Sequence, residues 1–375
     1  MKLKYISLIA ALPMIAVTSQ AQAERPGDKI AGSYICVFKD NAVSRGNAQA
    51  EANRSVQAAG GQLKFVYSVA IKGFAANMSE QGAAHAKANN PNIDYCEQDQ
   101  IVTAGPIRAD APPTGGGTVQ PSQTTPWGIA RVNGGAAGSF ATAWVIDTGI
   151  DLTHPDLNVD VARSRNFVER ETSPQDLNGH GTHVSGTIAA YDNAIGVIGV
   201  APGARVVAVR VLNKRGSGTN SGVIAGVDYV AANGQTGDVA NMSLGGGVST
   251  ALDTAVLNAS NAAGKVRFAL AAGNESDNAN NHSPARVNGP NVYTVSAMAV
   301  GDKWASYSNF GNPPIEYVEP GSAINSTWIN GGYNTISGTS MATPHLAGLM
   351  LAGTVRSGGV VSGDPAAPAD TIGVK

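Results

Sequence analysis

Residues 141–147 read ATAWVID, and the chain continues TGID to residue 151, an apolar run that ends on a carboxylate and a glycine turn. Runs of the same kind recur as ARVVAVRVL (204–212), GDVANMSL (237–244), VRFALAAG (266–273) and NVYTVSAMA (291–299). Helical stretches lie between and beyond them at 181–190, 219–233, 249–263 and 340–353. Buried strands alternating with helices predict an α/β unit with a mostly parallel sheet covered on both faces. Sheets of that kind carry their sites at the carboxyl ends of the strands.

Working outward, residues 104–126 are rich in Pro, Gly and Thr, including PPTGGG at 112–117, which is linker composition. Before it, residues 33–103 read as a small α+β module. Strands are expected at 33–39, 62–68, 73–78 and 93–98. Helices are expected at 41–59 and at 79–90, the second opened by Ser79 and ended by Pro91. The order βαββαβ is the ferredoxin-like arrangement, whose first and last strands are antiparallel neighbours. Cys36 and Cys96, the chain's two cysteines, sit on those strands. They face each other as a disulfide in an oxidising compartment, or they are two buried thiols; both readings stand.

The first residues read as a signal peptide. Lys2 and Lys4 precede an apolar run over 5–17, and Ala21-Gln22-Ala23 is a small-residue cleavage site. The run is short of a membrane span and contains Pro13. The last ~20 residues, with SGGVVSGDPAAPAD (357–370), read as an irregular tail. The expected divisions are 1–23, signal peptide; 24–104, N-terminal module; 105–122, linker; and 123–375, main domain. Hydrophobic residues make up 43% of the 375 and charged residues 14%, a globular composition. A net charge of −2 gives no electrostatic case for nucleic acid or anionic lipid.

Three segments join a functional residue to glycine. AWVIDTGID (143–151) runs into Asp147, NGHGTHVSG (178–186) sets His180 at a helix start, and GTSMATPHLAG (338–348) sets Ser340 at another. A hydroxyl becomes a nucleophile when an imidazole takes its proton, and the imidazole needs a carboxylate to fix its tautomer. Taken singly, Asp147 is a turn residue, Ser340 an N-cap, and His180 with His183 a metal pair. Zinc chemistry of the HExxH kind needs i, i+4 spacing and a Glu, and both are missing. An α/β-hydrolase would read GxSxG with order Ser, Asp, His; here the order is Asp, His, Ser.

With the blocks DTG, HGTH and GTSMATPH in that order, the chain resembles the subtilisin-like serine proteases, between their bacterial subtilisin and proteinase K branches. The resemblance covers roughly 30–103 and 123–352. It implies a three-layer α/β fold preceded by a ferredoxin-like propeptide of the I9 inhibitor type. It makes Ser340 the nucleophile, His180 the general base and acid, and Asp147 its orienter. ALAAGNES (269–276) resembles the oxyanion segment, with Asn274 as donor beside the Ser340 N–H. NMSLGGG (241–247) and Gly216-Ser217-Gly218 resemble the two edges that hold an extended peptide, Ser243, Leu244 and Gly245 facing it on the first. Ala271, Ala272 and Gly273 would wall a roomy primary pocket suited to an apolar side chain, with Glu275 and Asp277 nearby.

The resemblance also implies a structural Ca²⁺ ion. Its ligands would be Gln123, Asp156, Asn193 and the carbonyls of Tyr191, Ile195 and Val197, an oxygen set of the right kind. A second calcium site meets Ala299 where an Asp is expected, with Asp302 nearby. The expected protein is thus a secreted, extracellular, monomeric endopeptidase acting on proteins and peptides, inhibited by its own propeptide, with no nucleic-acid or membrane partner and no organic cofactor. The expected self-cut lies near 103–106. Met341, beside the nucleophile, predicts peroxide sensitivity if exposed. Rival readings are a silent peptide-binding relative, a serine esterase of another fold and a narrow processing protease.

Overall fold

The structure is a computed structural model that describes residues 25–105, 108–110, 112–115, 120–262 and 266–375. The signal-peptide expectation at 1–23 and part of the expected linker lie outside the described residues.

The N-terminal module contains β1 (Lys29–Phe38), α1 (Ala48–Ala58), β2 (Gln62–Tyr67), β3 (Gly73–Asn77), α2 (Glu80–Asn89) and β4 (Ile93–Thr103). All pairings are antiparallel, in the order β4-β1-β3-β2. Helix α2 starts where Ser79 accepts from the Gly82 N–H. One face of the sheet buries Cys36, Phe38 and Phe74 against Ala52 and Val56 of α1. Cys36 and Cys96 are register partners across β1 and β4 and form a disulfide, the first of the two readings left open above.

The main unit contains β5 (Ala143–Asp147), α3 (His180–Ala189), β6 (Arg205–Arg210), β7 (Ser217–Thr219), α4 (Asn220–Asn233), β8 (Val239–Met242) and β9 (Gly245–Gly246). It continues with α5 (Thr250–Ser260), β10 (Arg267–Ala271), β11 (Val292–Ala299), β12 (Ile315–Pro320), β13 (Ile324–Trp328), β14 (Gly332–Ser337), α6 (Thr339–Ala352), β15 (Arg356–Val360) and β16 (Thr371–Val374). The large sheet runs β15-β16-β12-β11-β10-β8-β5-β6. Its pairings from β16 to β6 are parallel. Side chains alternate across it. Trp144 and Ile146 of β5 join Val223 and Val227 of α4 and Leu252 of α5 on one face. Ala143 and Val145 join Val184 and Ile188 of α3 and Leu346 of α6 on the other. This gives the expected three layers, because every central strand is apolar at both odd and even positions.

The tail is not irregular. β15 and β16 extend the sheet beside β12, because Val361, Ile372 and Val374 bury against Met298 and Val318. The Gly- and Pro-rich composition of 357–370 hides Val361, and Ile372 and Val374 follow it in a strand of only four residues.

The module docks on the main unit through its second face. Ile35, Val37, Tyr67 and Val102 join the core formed with α4 and α5. Two carboxylates of β4 meet two helix starts. Asp99 accepts from Ser221 N–H at 3.0 Å and from its hydroxyl at 2.6 Å. Glu97 accepts from the Ser249 hydroxyl and, at 3.3 Å, from Ala251 N–H. Both supply acceptors to first-turn N–H groups that lack intrahelical partners.

The disulfide closes a loop with a sequence separation of 60 residues. In the chain-entropy account such a loop is worth about 4 kcal/mol to the folded module. Reduction, or Cys36→Ser with Cys96→Ser, should lower the unfolding midpoint of residues 29–103. Calorimetry of the full chain with and without reductant checks this; superimposable traces would reject it.

Candidate active site

Asp147 ends β5 and His180 begins α3, and both are buried. They approach because α3 starts on a glycine step. A Cβ on Gly181 would lie 2.2 Å from the Gly149 carbonyl oxygen, so only glycine lets the helix rest against the strand end. Asp176 fixes the same corner. Its carboxylate accepts from Gly179 N–H (2.9 Å), Thr182 N–H (3.0 Å), the Thr182 hydroxyl (2.7 Å) and the Thr148 hydroxyl (2.9 Å). The sequence reading missed Asp176; its signal was an acidic residue just ahead of the helix start.

His180 Nδ1 donates to Asp147, 2.9 Å from Oδ1 and 3.0 Å from Oδ2. Burial disfavours the imidazolium, but the charge and hydrogen bond of Asp147, with the charge of Asp176, outweigh it and raise the His180 pKa above its ordinary value. Nε2 is buried and has no hydrogen-bond partner among the described residues. His183 points elsewhere. Its Nε2 meets the carbonyls of Ile324 (2.9 Å) and Asn334 (3.1 Å), and burial pushes its pKa down to about 3. This pair of histidines does not converge on one metal position.

Ser340 stands in the first turn of α6. Its hydroxyl donates to the carbonyls of Ser243 (3.2 Å) and Ala104 (3.3 Å). Ala104, His180, Asn274 and Ser340 line one small cavity. Met341 also borders it but is buried, so the exposure that peroxide attack requires is absent. Pro344 lacks the N–H that would bond the Ser340 carbonyl four residues back, and the Ser243 hydroxyl takes that carbonyl at 2.9 Å. Ser243 therefore anchors the helix that carries Ser340 through its side chain. Asn274 Oδ1 accepts from Thr339 N–H (2.8 Å) and its hydroxyl (3.1 Å), which leaves the Nδ2 donors to the cavity.

Strand β4 leads into this site. It runs antiparallel between β7 and β9, with Thr103 opposite both Ser217 and Gly245, and Val102 opposite both Gly218 and Gly246. Ala104 N–H continues the ladder to the Gly216 carbonyl at 3.0 Å. Thr219 and Gly246, not among the expected residues, belong to the same edges. Beyond Ala104, Gly105 has φ +76°, and a Cβ there would sit 3.2 Å from Asn274 Nδ2. A pocket opens beside Ala104, walled by Leu244, Gly245, Ala271, Ala272 and Gly273, with Glu275 and His282 reaching it.

The proposed calcium ligands also gather. Asp156 is buried and accepts from Asn193 Nδ2 (2.8 Å), Val197 N–H (3.2 Å) and the Tyr333 hydroxyl (3.2 Å). Gln123 Oε1 accepts from Asn193 N–H at 2.6 Å. The loop of Tyr191, Ile195 and Val197 runs beside 122–124 through bridges Ser122–Ile195 and Thr124–Val197. Burial pushes the Asp156 carboxyl up to about 6. A buried carboxylate with only neutral donors beside further amide and carbonyl oxygens fits a hard cation in kind, provided the Asn193 carboxamide turns its oxygen inward. At the second calcium position Asp302 is already engaged, accepting from Arg131 at 2.7 and 2.9 Å.

Comparisons with known proteins agree with this geometry. The family described as the subtilase family matches residues 138–354. "Alkaline serine exoprotease A" of Vibrio alginolyticus is 42% identical over 340 residues, covering 85% of this chain and 60% of its own length. "Extracellular serine proteinase" of Thermus sp. (strain Rt41A) is 39% identical over 365 residues, 92% of this chain and 85% of its own. Subtilisin E of Bacillus subtilis (strain 168) is 36% identical over 361 residues, with coverages of 92% and 86%. The crystal structure of a cold adapted subtilisin-like serine proteinase superposes with a TM-score of 0.53 at 45% identity, over 60% of this chain and 82% of that one. The chain belongs to the subtilase family of serine proteases.

Proposed function

We propose that this protein is a secreted serine endopeptidase made as a zymogen that cuts itself between Ala104 and Gly105. The reading rests above all on one contact: the Ala104 carbonyl lies against the Ser340 hydroxyl while the Ala104 N–H pairs with Gly216. β4 is then the first substrate, and residues 24–104 are the propeptide. Secretion is supported by the leader-like residues 1–23 and by a relative named as extracellular.

In this mechanism Ser340 Oγ turns from the Ser243 carbonyl toward His180 Nε2. It attacks the Ala104 carbonyl carbon as Nε2 takes its proton. Asp147 holds Nδ1–H and stabilises the imidazolium. Asn274 Nδ2 and the Ser340 N–H, a first-turn donor with no intrahelical acceptor, stabilise the oxyanion. The Ala104–Gly105 bond breaks as His180 returns the proton to the Gly105 amine. Water, activated by the same imidazole, then releases Ala104 from Ser340. Later substrates take the place of β4. Main-chain pairing supports broad specificity, and the apolar walls support an apolar residue before the cut. A structural Ca²⁺ held by Gln123, Asp156, Asn193 and the carbonyls of Tyr191, Ile195 and Val197 completes the reading; it would fix the loop after α3 that carries His180.

Intact mass of the full chain should show wild type releasing a piece that ends at Ala104, while Ser340→Ala stays whole. The same cut in that variant would exclude Ser340 as the nucleophile. The pH dependence follows from His180. The base must be neutral, and its pKa lies above the ordinary value. Turnover should therefore be lost as pH falls through a midpoint above about 6.5. A kcat profile on a peptide amide with its acid midpoint below that value contradicts the Asp147–His180 assignment. For calcium, a chelator should lower the melting midpoint of the mature enzyme and added Ca²⁺ should restore it; identical melting with and without chelator argues against the ion.

A further inference from the structure

Strand β14 (Gly332–Ser337) runs directly into Gly338, Thr339 and Ser340. One of its edges pairs with β13. Its other edge is taken by two short pieces of the expected linker. Arg108–Ala109 lies antiparallel to Ser337 and Ile336, and Thr114–Gly115 to Tyr333 and Gly332. Between them the Asp110 N–H donates to the Thr335 carbonyl at 3.0 Å, and the Ser337 hydroxyl donates to the Asp110 carboxylate at 2.6 Å. Pro112 and Pro113 have no N–H to give, and pairing resumes beyond them in a shifted register. Gly and Pro are poor strand formers, so it is the edge of β14 that orders this segment. Ile336 and Ser337 also line the small cavity that His180 and Ser340 share. The chain is thus strand-paired on both sides of the Ala104–Gly105 bond, through Ile101, Val102 and Thr103 before it and through Arg108 and Ala109 after it.

We infer that this edge of β14 is a binding surface for extended peptide on the leaving side of the scissile bond, and that its resident occupant is the enzyme's own segment from Arg108 to Gly115. After the cut that segment stays in place as a strap, which a long substrate must displace. The inference rests on the protease reading above. The hydrogen bonds of Asp110 to Thr335 and Ser337 lie wholly within the piece that carries Ser340, so cutting at Ala104–Gly105 breaks neither. The strap remains tethered beside its edge, at the high effective concentration of an intramolecular partner. A substrate that continues past its cut needs the same backbone groups and competes with the strap. A substrate that ends at its leaving group does not. Asp110 is exposed and does not line the cavity of Ser340, which makes it the place to loosen the strap. Asp110→Pro removes both the N–H and the carboxylate. Loss of those two hydrogen bonds, one of them to a charged group, corresponds to about a tenfold loss of strap occupancy.

The test uses wild type, Asp110→Pro and Asp110→Ala, each made as the full chain. The first-cut form, identified by intact mass as starting at Gly105, is assayed with two peptides that share the residues before the cleaved bond. One ends in a small amide; the other continues as far past the bond as Gly115 lies past Ala104. The ratio of kcat/KM, long over short, should be about tenfold higher in Asp110→Pro than in wild type. Asp110→Ala, which keeps the N–H, should show about a threefold rise. Wild type trimmed beyond Gly115 should match Asp110→Pro. Equal ratios in all three proteins, or a first product whose N-terminus already lies beyond Gly115, overturn the inference. If none of them hydrolyses either peptide, the protease reading itself fails and takes this inference with it, an outcome told from the others by the absolute rates.

Discussion

The corner where β5 meets α3 depends on one carboxylate. Asp176 accepts from the N–H groups of Asn178, Gly179 and Thr182 and from the hydroxyls of Thr182 and Thr148. Four of these five donors belong to the start of α3 or the residues just before it, and the fifth follows Asp147 directly. A helix end buried without such an acceptor would carry several unpaired N–H groups. By satisfying them, Asp176 fixes the helix to the strand end, and the Asp147–His180 contact follows from that docking. The glycine at 181 supplies the space and the carboxylate supplies the hold.

The second organising constraint is the ladder that β4 completes. β7 and β9 are two edges that β4 bridges, each paired with β4 on the side that faces the other. An extended chain of almost any sequence can satisfy such edges, so on the proposed reading a propeptide strand and a substrate use the same place in turn. Glu97 and Asp99 add what a general substrate lacks, because they meet the starts of α5 and α4 outside the cleft. The N-terminal module therefore has a second set of attachments that does not depend on the bond at Ala104.

Much of this was legible in the sequence, for stated reasons. Central parallel strands are apolar on both faces, so 143–147, 205–210 and 267–271 stood out as buried runs. Asp147, His180 and Ser340 were legible through the glycines that surround them. The strands at 315–320, 324–328 and 332–337 were not anticipated, because polar residues such as Glu316, Glu319, Asn325 and Asn334 interrupt their patterns. β16 was missed because its four residues pack on a surface formed 50 residues and more earlier in the chain. Ser243 shows a different limit. Its place in the motif suggests backbone pairing with a substrate and says nothing of its side chain, which takes the carbonyl that Pro344, about a hundred residues away, leaves free.

Helix α6 packs through the middle of the main unit, against α3 and the strands β8, β10 and β11. It also carries Ser340, which lies 160 positions after His180 (340 − 180). A chain emerging from the ribosome exposes its N-terminal parts first. The module of β1 to β4 and His180 are thus made long before Ser340. On the proposed reading, the nucleophile is absent throughout that interval and cannot act on neighbouring nascent chains. When α6 does insert, β4 is already available to fill the cleft. On that reading the order of residues along the polypeptide, and not only their arrangement in space, keeps the newborn molecule harmless to its surroundings.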